Sequence, residues 1–156
     1  MLRGISPALA RGRLRAAGRG SRESVEGVLV GGCLESMQHL RGTPYWPSLD
    51  GPILFLETSE EEPNQERVDG ILMNYENTGA YEQLRGLLFG RPYSYAPDER
   101  EQLHAVILER TEGYDFPVVA DIEFGHTSPV FTLLVDCRAA IDAGPERFEI
   151  IEPAVV

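Results

Sequence analysis

The 156-residue sequence predicts a mixed α/β domain. Three observations carry this. Short apolar runs at 25–30, 53–56, 86–90 and 117–120 have the length of strands and are bounded by turn-forming residues. Two of the stretches between them repeat apolar residues at helical spacing. The last third of the chain is strand-rich, with turn residues between the runs. Strand–helix alternation followed by strands is the pattern of helices packed on a mixed sheet.

Each element has its own local reason. Residues 1–24 are rich in Gly, Arg and Ala without a clear period, and read as a disordered basic tail or linker ahead of a domain at 25–156. Val25–Val30 reads as a strand, after which the pair Gly31-Gly32 is expected to turn the chain. Leu34, Met37, Gln38 and Leu40 suit a short helix ending at Gly42, and Thr43–Gly51, with Pro44, Tyr45, Trp46 and Pro47, a rigid aromatic loop. Ile53-Leu54-Phe55-Leu56 is apolar throughout, as a strand buried on both faces requires, and ends at Glu57. Ser59-Glu60-Glu61-Glu62-Pro63 is a helix-start signal, with acids where the helix dipole favours them. Val68, Ile71, Leu72 and Tyr75 set the period of that helix, and Asn77-Thr78-Gly79 ends it. Gly86–Gly90 is a second buried strand. Pro97-Asp98-Glu99 opens a helix to about Thr111, with Leu103, Ala105, Val106 and Ile107 on its apolar side. Pro117–Ala120 begins the strand leading to Phe124-Gly125-His126. Val130–Val135, Arg138–Ile141 and Phe148–Ile151 read as antiparallel strands joined by turns at Val135-Asp136 and Ala143-Gly144-Pro145.

Charge is unevenly placed. Residues 1–24 carry six Arg and one acid, a net of +5; the rest carries eight Arg and 24 acids, a net of −16. A body this acidic repels phosphate backbones, which argues against nucleic-acid binding. No stretch approaches the ~20 apolar residues of a membrane span, and the N-terminus has no apolar leader-like run. A cytoplasmic location is the expectation. Cys33 and Cys137 form no CxxC, and with His39, His104 and His126 they show no zinc spacing, so two reduced, mostly buried thiols and no metal site are expected.

Two residues stand out chemically. Glu57 ends one apolar strand, and His126 lies just past another in a turn-forming setting, Gly125-His126-Thr127-Ser128-Pro129. A carboxylate and an imidazole displayed from two strand ends can orient and polarise the ring for acid–base work. Taken separately, a strand-end glutamate in water and a loop histidine on the surface are the ordinary readings. His39 and His104 fall on predicted helices and read as helix-surface or half-buried side chains. A serine nucleophile is expected on a tight strand-to-helix turn such as G-x-S-x-G. Ser21 has glycines but no preceding strand, Ser36 lies inside a helix, and Ser59 and Ser128 lack the pattern; Ser6, Ser24, Ser48 and Ser94 have no such context. Neither cysteine sits in such a turn.

Several segments, in order and at matching spacing, resemble the C-terminal domain of the LD-carboxypeptidase family of serine peptidases, most closely the branch that contains the microcin C immunity protein. They are Val30-Gly31-Gly32-Cys33-Leu34, Leu40–Pro47, Ile53–Glu60, Gly86–Arg91 and Phe124-Gly125-His126-Thr127. The resemblance runs from about Glu26 to Glu152. It implies a mixed-sheet swivelling β/β/α domain, and a Ser-Glu-His triad in which Glu57 and His126 match the glutamate and histidine, with no metal or organic cofactor. It implies hydrolysis of an amide bond in murein peptides or peptidyl-nucleotide antibiotics. The family's serine lies on a separate N-terminal domain that residues 1–24 do not resemble, so the isolated chain is expected to be inactive. Val135-Asp136 departs from a Pro/Gly pair common in relatives. The competing expectation is a non-catalytic remnant that binds a peptide or protein; a homodimer is one way for it to cover the face left by the missing domain.

Overall fold

The central strands form where the sequence is most continuously apolar. In the computed structural model, which describes residues 9–11, 13–16, 24–59, 64–142 and 147–152, these are β3 (Ser24–Cys33), β4 (Ile53–Glu57), β5 (Gly86–Gly90) and β6 (Pro117–Ile122). They pair in that order, all parallel, and every residue of β4 and β5 is buried. Burial on both faces is what a parallel sheet demands, and it explains why these strands read as unbroken apolar runs. The connections carry α1 (Leu34–Gln38), α2 (Gln65–Asn77) and α3 (Pro97–Thr111). The strand-rich end supplies β7 (Arg138–Asp142) and β8 (Arg147–Ile150), and two short strands precede the domain, β1 (Leu9–Arg11) and β2 (Arg13–Ala16).

The sheet order is β1-β8-β7-β3-β4-β5-β6-β2. Strand β3 serves two neighbours: residues 24–28 pair antiparallel with β7, and 29–33 pair parallel with β4. The edge strands β1 and β2 are separated by one residue, so their adjacent ends are at most about 7 Å apart. The sheet therefore curls until its two edge strands come near each other at that end. The two faces bury different sets. Leu54, Leu56, Leu87, Phe89 and Val118 point outward beneath α2 and α3, whose Val68, Leu72, Tyr75, Leu103 and Ile107 cover them. Leu29, Ile53, Phe55, Leu88, Val119, Ile141 and Phe148 fill the inside of the curl.

Helix α2 starts at Gln65, with the Asn64 side chain accepting the Arg67 N–H at 2.8 Å. Its predicted start signal falls largely on residues 60–63, outside the described residues. Helix α3 opens at Pro97, and Glu99 reaches back to the Ala96 N–H at 2.7 Å.

Five expectations change. Gly31 and Gly32 do not turn the chain but continue β3; a Cβ at Gly31 would lie 1.8 Å from the Phe55 carbonyl oxygen, so glycine serves close strand approach here. The helix after β3 ends at Gln38, and turns carry the chain through Leu40 to Gly42. Ala105 is exposed and not on the buried face of α3. Val130–Val135 is not a strand: both available edges of β3 are taken by β4 and β7, and the segment is held irregularly by Phe131, Leu133 and Leu134 packing into the curl. The basic segment read as disordered holds β1 and β2, because backbone pairing with β8 and β6 needs no apolar period. Asp136 does turn the chain, at φ +67°, a conformation Asp tolerates. The turn expected at 143–145 lies outside the described residues.

Candidate functional site

Four parallel strands end on one rim of the sheet, and chemistry gathers at the carboxyl ends of such strands. Cys33 ends β3, Glu57 ends β4, Arg91 follows β5, and the loop after β6 carries His126. Register places Cys33 directly opposite Glu57.

Alternation along β4 sends Ile53 and Phe55 into the curl and Leu54 and Leu56 under the helices, so Glu57 points to the inner side at its mouth. It is only 8% exposed. A buried carboxylate must be hydrogen-bonded, and the His126 loop supplies the donors. Glu57 Oε2 lies 2.7 Å from His126 Nδ1 and also accepts the His126 backbone N–H at 3.3 Å. One oxygen thus holds both the ring and the backbone of the same residue. The imidazole is partly open, with about a third of its side chain exposed.

Two glycines make room for this pair. A Cβ at Gly125, whose φ is +90°, would lie 2.5 Å from Glu57 Oε2 and 2.7 Å from Glu57 Cβ. A Cβ at Gly90 would lie 2.7 Å from the Phe124 carbonyl oxygen and 2.9 Å from Glu57 Cβ. Phe124 anchors the loop by packing edge-on against Phe55 of β4, ring centroids 5.8 Å apart.

The end of β6 is re-aimed by a β-bulge. Leu88 pairs with Val119 and Gly90 with Ile122, two residues on β5 against three on β6. Asp121 sits at the bulge with φ +61°. The extra residue returns Ile122 to the inside of the curl after Val119, so that Phe124 follows it inward and His126 reaches Glu57. From α3, His104 Nε2 approaches Asp121 Oδ1 at 3.2 Å, both side chains 14% exposed. His104 is thus half-buried and paired, while His39 is exposed just past α1.

The structure therefore brings together both residues singled out from the sequence, Glu57 and His126. Sequence reading missed Arg91, the two glycines and the bulge. The signal for Arg91 was its position directly after a buried parallel strand. Of the serines near the pair, Ser59 donates its backbone N–H to Glu35 Oε2 at 3.2 Å, and that oxygen also receives the Cys33 thiol at 3.3 Å. Both cysteines are free thiols of intermediate exposure, less buried than expected. Among the described residues no group of three or more His, Cys, Asp or Glu could hold a metal ion, and no helix is long and apolar enough to cross a membrane.

Comparison with known proteins identifies the family and the fold. Residues 26–141 match the LD-carboxypeptidase C-terminal domain. The "Probable murein peptide carboxypeptidase" of Bacillus subtilis is 29% identical over 133 residues, which are 83% of this chain and 41% of that protein. The crystal structure of an MccF-like protein from Bacillus anthracis superposes with a TM-score of 0.76 at 26% identity, covering 85% of this chain and 42% of the other. An MccF-like protein from Streptococcus pneumoniae, in complex with AMP, superposes at 0.70 with 28% identity, over 83% of this chain and 42% of that one. The α/β mixed-sheet fold expected from the resemblance is the one these structures share. The chain spans about two-fifths of the length of the curated relatives it matches. It belongs to the LD-carboxypeptidase family, and what it carries is that family's C-terminal domain.

Proposed function

We propose that this chain supplies the Glu and His of a Ser-Glu-His triad in an LD-carboxypeptidase-like hydrolase. The serine and its oxyanion-hole donors come from a domain outside this sequence, on the same or a separate polypeptide. The observation that supports this most directly is the 2.7 Å contact between Glu57 Oε2 and His126 Nδ1 at the rim where the parallel strands end. The carboxylate selects the tautomer with the proton on Nδ1, which makes Nε2 the basic nitrogen. His126 Nε2 takes the serine proton as the hydroxyl attacks the amide carbonyl, then returns it to the leaving amine. Glu57 holds the ring and stabilises the imidazolium between those steps. The substrate class is an amide in a murein peptide or a peptidyl-nucleotide; a relative's name refers to murein peptides, and a similar structure was solved with AMP.

The test is a chimera in which the whole chain, with β1 and β2, replaces the matching domain of the Bacillus subtilis relative. Release of the terminal D-amino acid from an L,D-linked murein peptide is measured, alongside cleavage of an aminoacyl-nucleotide. The expected result is turnover by the chimera, none by the isolated chain, and a loss of about 10³-fold or more with His126→Ala. Turnover unaffected by His126→Ala overturns the assignment. A folded chimera with no turnover favours the non-catalytic reading, in which the domain binds its partner or peptide without chemistry.

A further inference from the structure

Glu57 holds His126 from one side, and one arginine bridges the two ends of the loop that carries the ring. Arg91 follows β5 directly. Its backbone N–H donates to the Ile122 carbonyl at 2.7 Å, where the loop begins. Its Nη1 donates to Glu123 Oε1 at 3.3 Å. Its Nε donates to Thr127 Oγ1 at 2.8 Å and its Nη2 to the Ser128 carbonyl at 2.8 Å, where the loop ends. The guanidinium thus ties Glu123 to Thr127 and Ser128, with His126 between them. Its side chain is 24% exposed, so the planar fork is only partly screened by water. Three directional donations from one rigid group fix a loop far better than a single ammonium can. Along the chain, Gly125 at φ +90° and the buried Phe124 lead from Glu123 to His126.

We propose that Arg91 is a positioning residue for His126: it clasps both ends of the 122–128 loop and so keeps the imidazole Nδ1 on Glu57. This rests on reading His126 as the acid–base group, and it deepens that reading by naming what sets the ring's geometry. Arg91 acts on the loop and takes no part in proton transfer. Its neighbour Thr127 is the side-chain acceptor nearest the ring in sequence.

The test uses the full ¹⁵N-labelled chain and needs no turnover, so it can fail or succeed independently of the chimera assay. Long-range ¹H–¹⁵N spectra report the tautomer of each imidazole, with His126 assigned by its loss in His126→Gln. The wild-type chain is expected to show His126 as the Nδ1–H form. Arg91→Gln is expected to move His126 to averaged-tautomer shifts and to speed exchange of its backbone amide by roughly tenfold, the factor set by losing one charge-assisted hydrogen bond. His39 and His104 are expected to stay unchanged, as is every histidine in Arg138→Gln, which removes an exposed arginine paired with Glu26. Arg91→Lys restores the charge but not the fork, and recovers the wild-type pattern only in part. An arginine that merely stabilises the fold would lower the unfolding midpoint while leaving the His126 tautomer in place. If Arg91→Gln does not fold, Thr127→Val decides, because it removes one of the acceptors; a smaller shift in the same direction is expected. His126 signals and amide exchange identical to wild type in the folded variant overturn the proposal.

Discussion

Replacing Gly125 by alanine separates two costs that usually arrive together. At φ +90° an alanine sits in a region that L-residues avoid, at a cost of about 1–2 kcal/mol. The new methyl would also lie 2.5 Å from Glu57 Oε2 and 2.8 Å from its Cγ. Glu57 is buried and cannot swing into solvent without giving up both hydrogen bonds to His126. Overpacking of this kind costs roughly 1–3 kcal/mol more, so the total is about 2–5 kcal/mol. Gly113 supplies the control: its φ is +93°, but nothing lies within 4 Å of its Cβ position. Gly113→Ala should therefore show the strain alone, about 1–2 kcal/mol. Urea unfolding followed by fluorescence of Trp46, the one tryptophan, reads both. With a slope of about 2 kcal/mol per M, the midpoint should fall by about 0.5–1 M for Gly113→Ala and by about 1–2.5 M for Gly125→Ala. Equal shifts in the two variants would refute the claim that Gly125 is there to make room for Glu57.

Further predictions follow from the same structure. Glu57→Gln keeps an acceptor for Nδ1–H but removes the charge; in the active chimera kcat should drop about 10³–10⁴-fold, measured at constant fold stability. Asp121→Asn should be tolerated within about 1 kcal/mol because Asn accepts φ +61° and keeps an oxygen for His104, whereas Asp121→Val should cost about 2 kcal/mol or more in thermal unfolding. Arg110 grips Asp69 with Nε at 2.5 Å and Nη2 at 3.0 Å, and this contact holds the Asp69 carboxyl below its ordinary value of 3.8. Its contribution is fully present above that value and is lost as pH falls through the lower folded one; Asp69 is a third exposed, so it is worth under about 1 kcal/mol. Asp69→Asn should therefore lower stability at pH 7 and leave it nearly unchanged well below pH 3.8, by urea midpoints at each pH. Gly70→Ala, in the interior of α2 with open space around it, should raise stability by about 0.5–1 kcal/mol.

The sequence by itself determined the elements whose cause is local. Ile53–Leu56 and Gly86–Gly90 are strands because an unbroken apolar run of that length has to be buried on both faces. Val68, Ile71, Leu72 and Tyr75 make one face of α2 because their spacing allows no other arrangement. Glu57 and His126 were legible as candidates because a polar residue at the end of such a run is conspicuous. Tertiary structure decided everything that depends on register and closure. Gly31 and Gly32 within β3 look like a turn until Phe55 is seen to lie against Gly31. Val130–Val135 has the composition of a strand but finds no free edge to pair with. β1 and β2 have no apolar period, and only the curl of the sheet brings β8 and β6 within reach of adjacent residues. The bulge at Asp121 and the reach of Arg91 across the His126 loop join residues 30 or more positions apart. Such facts are set by which strand lies beside which, and no local pattern encodes that.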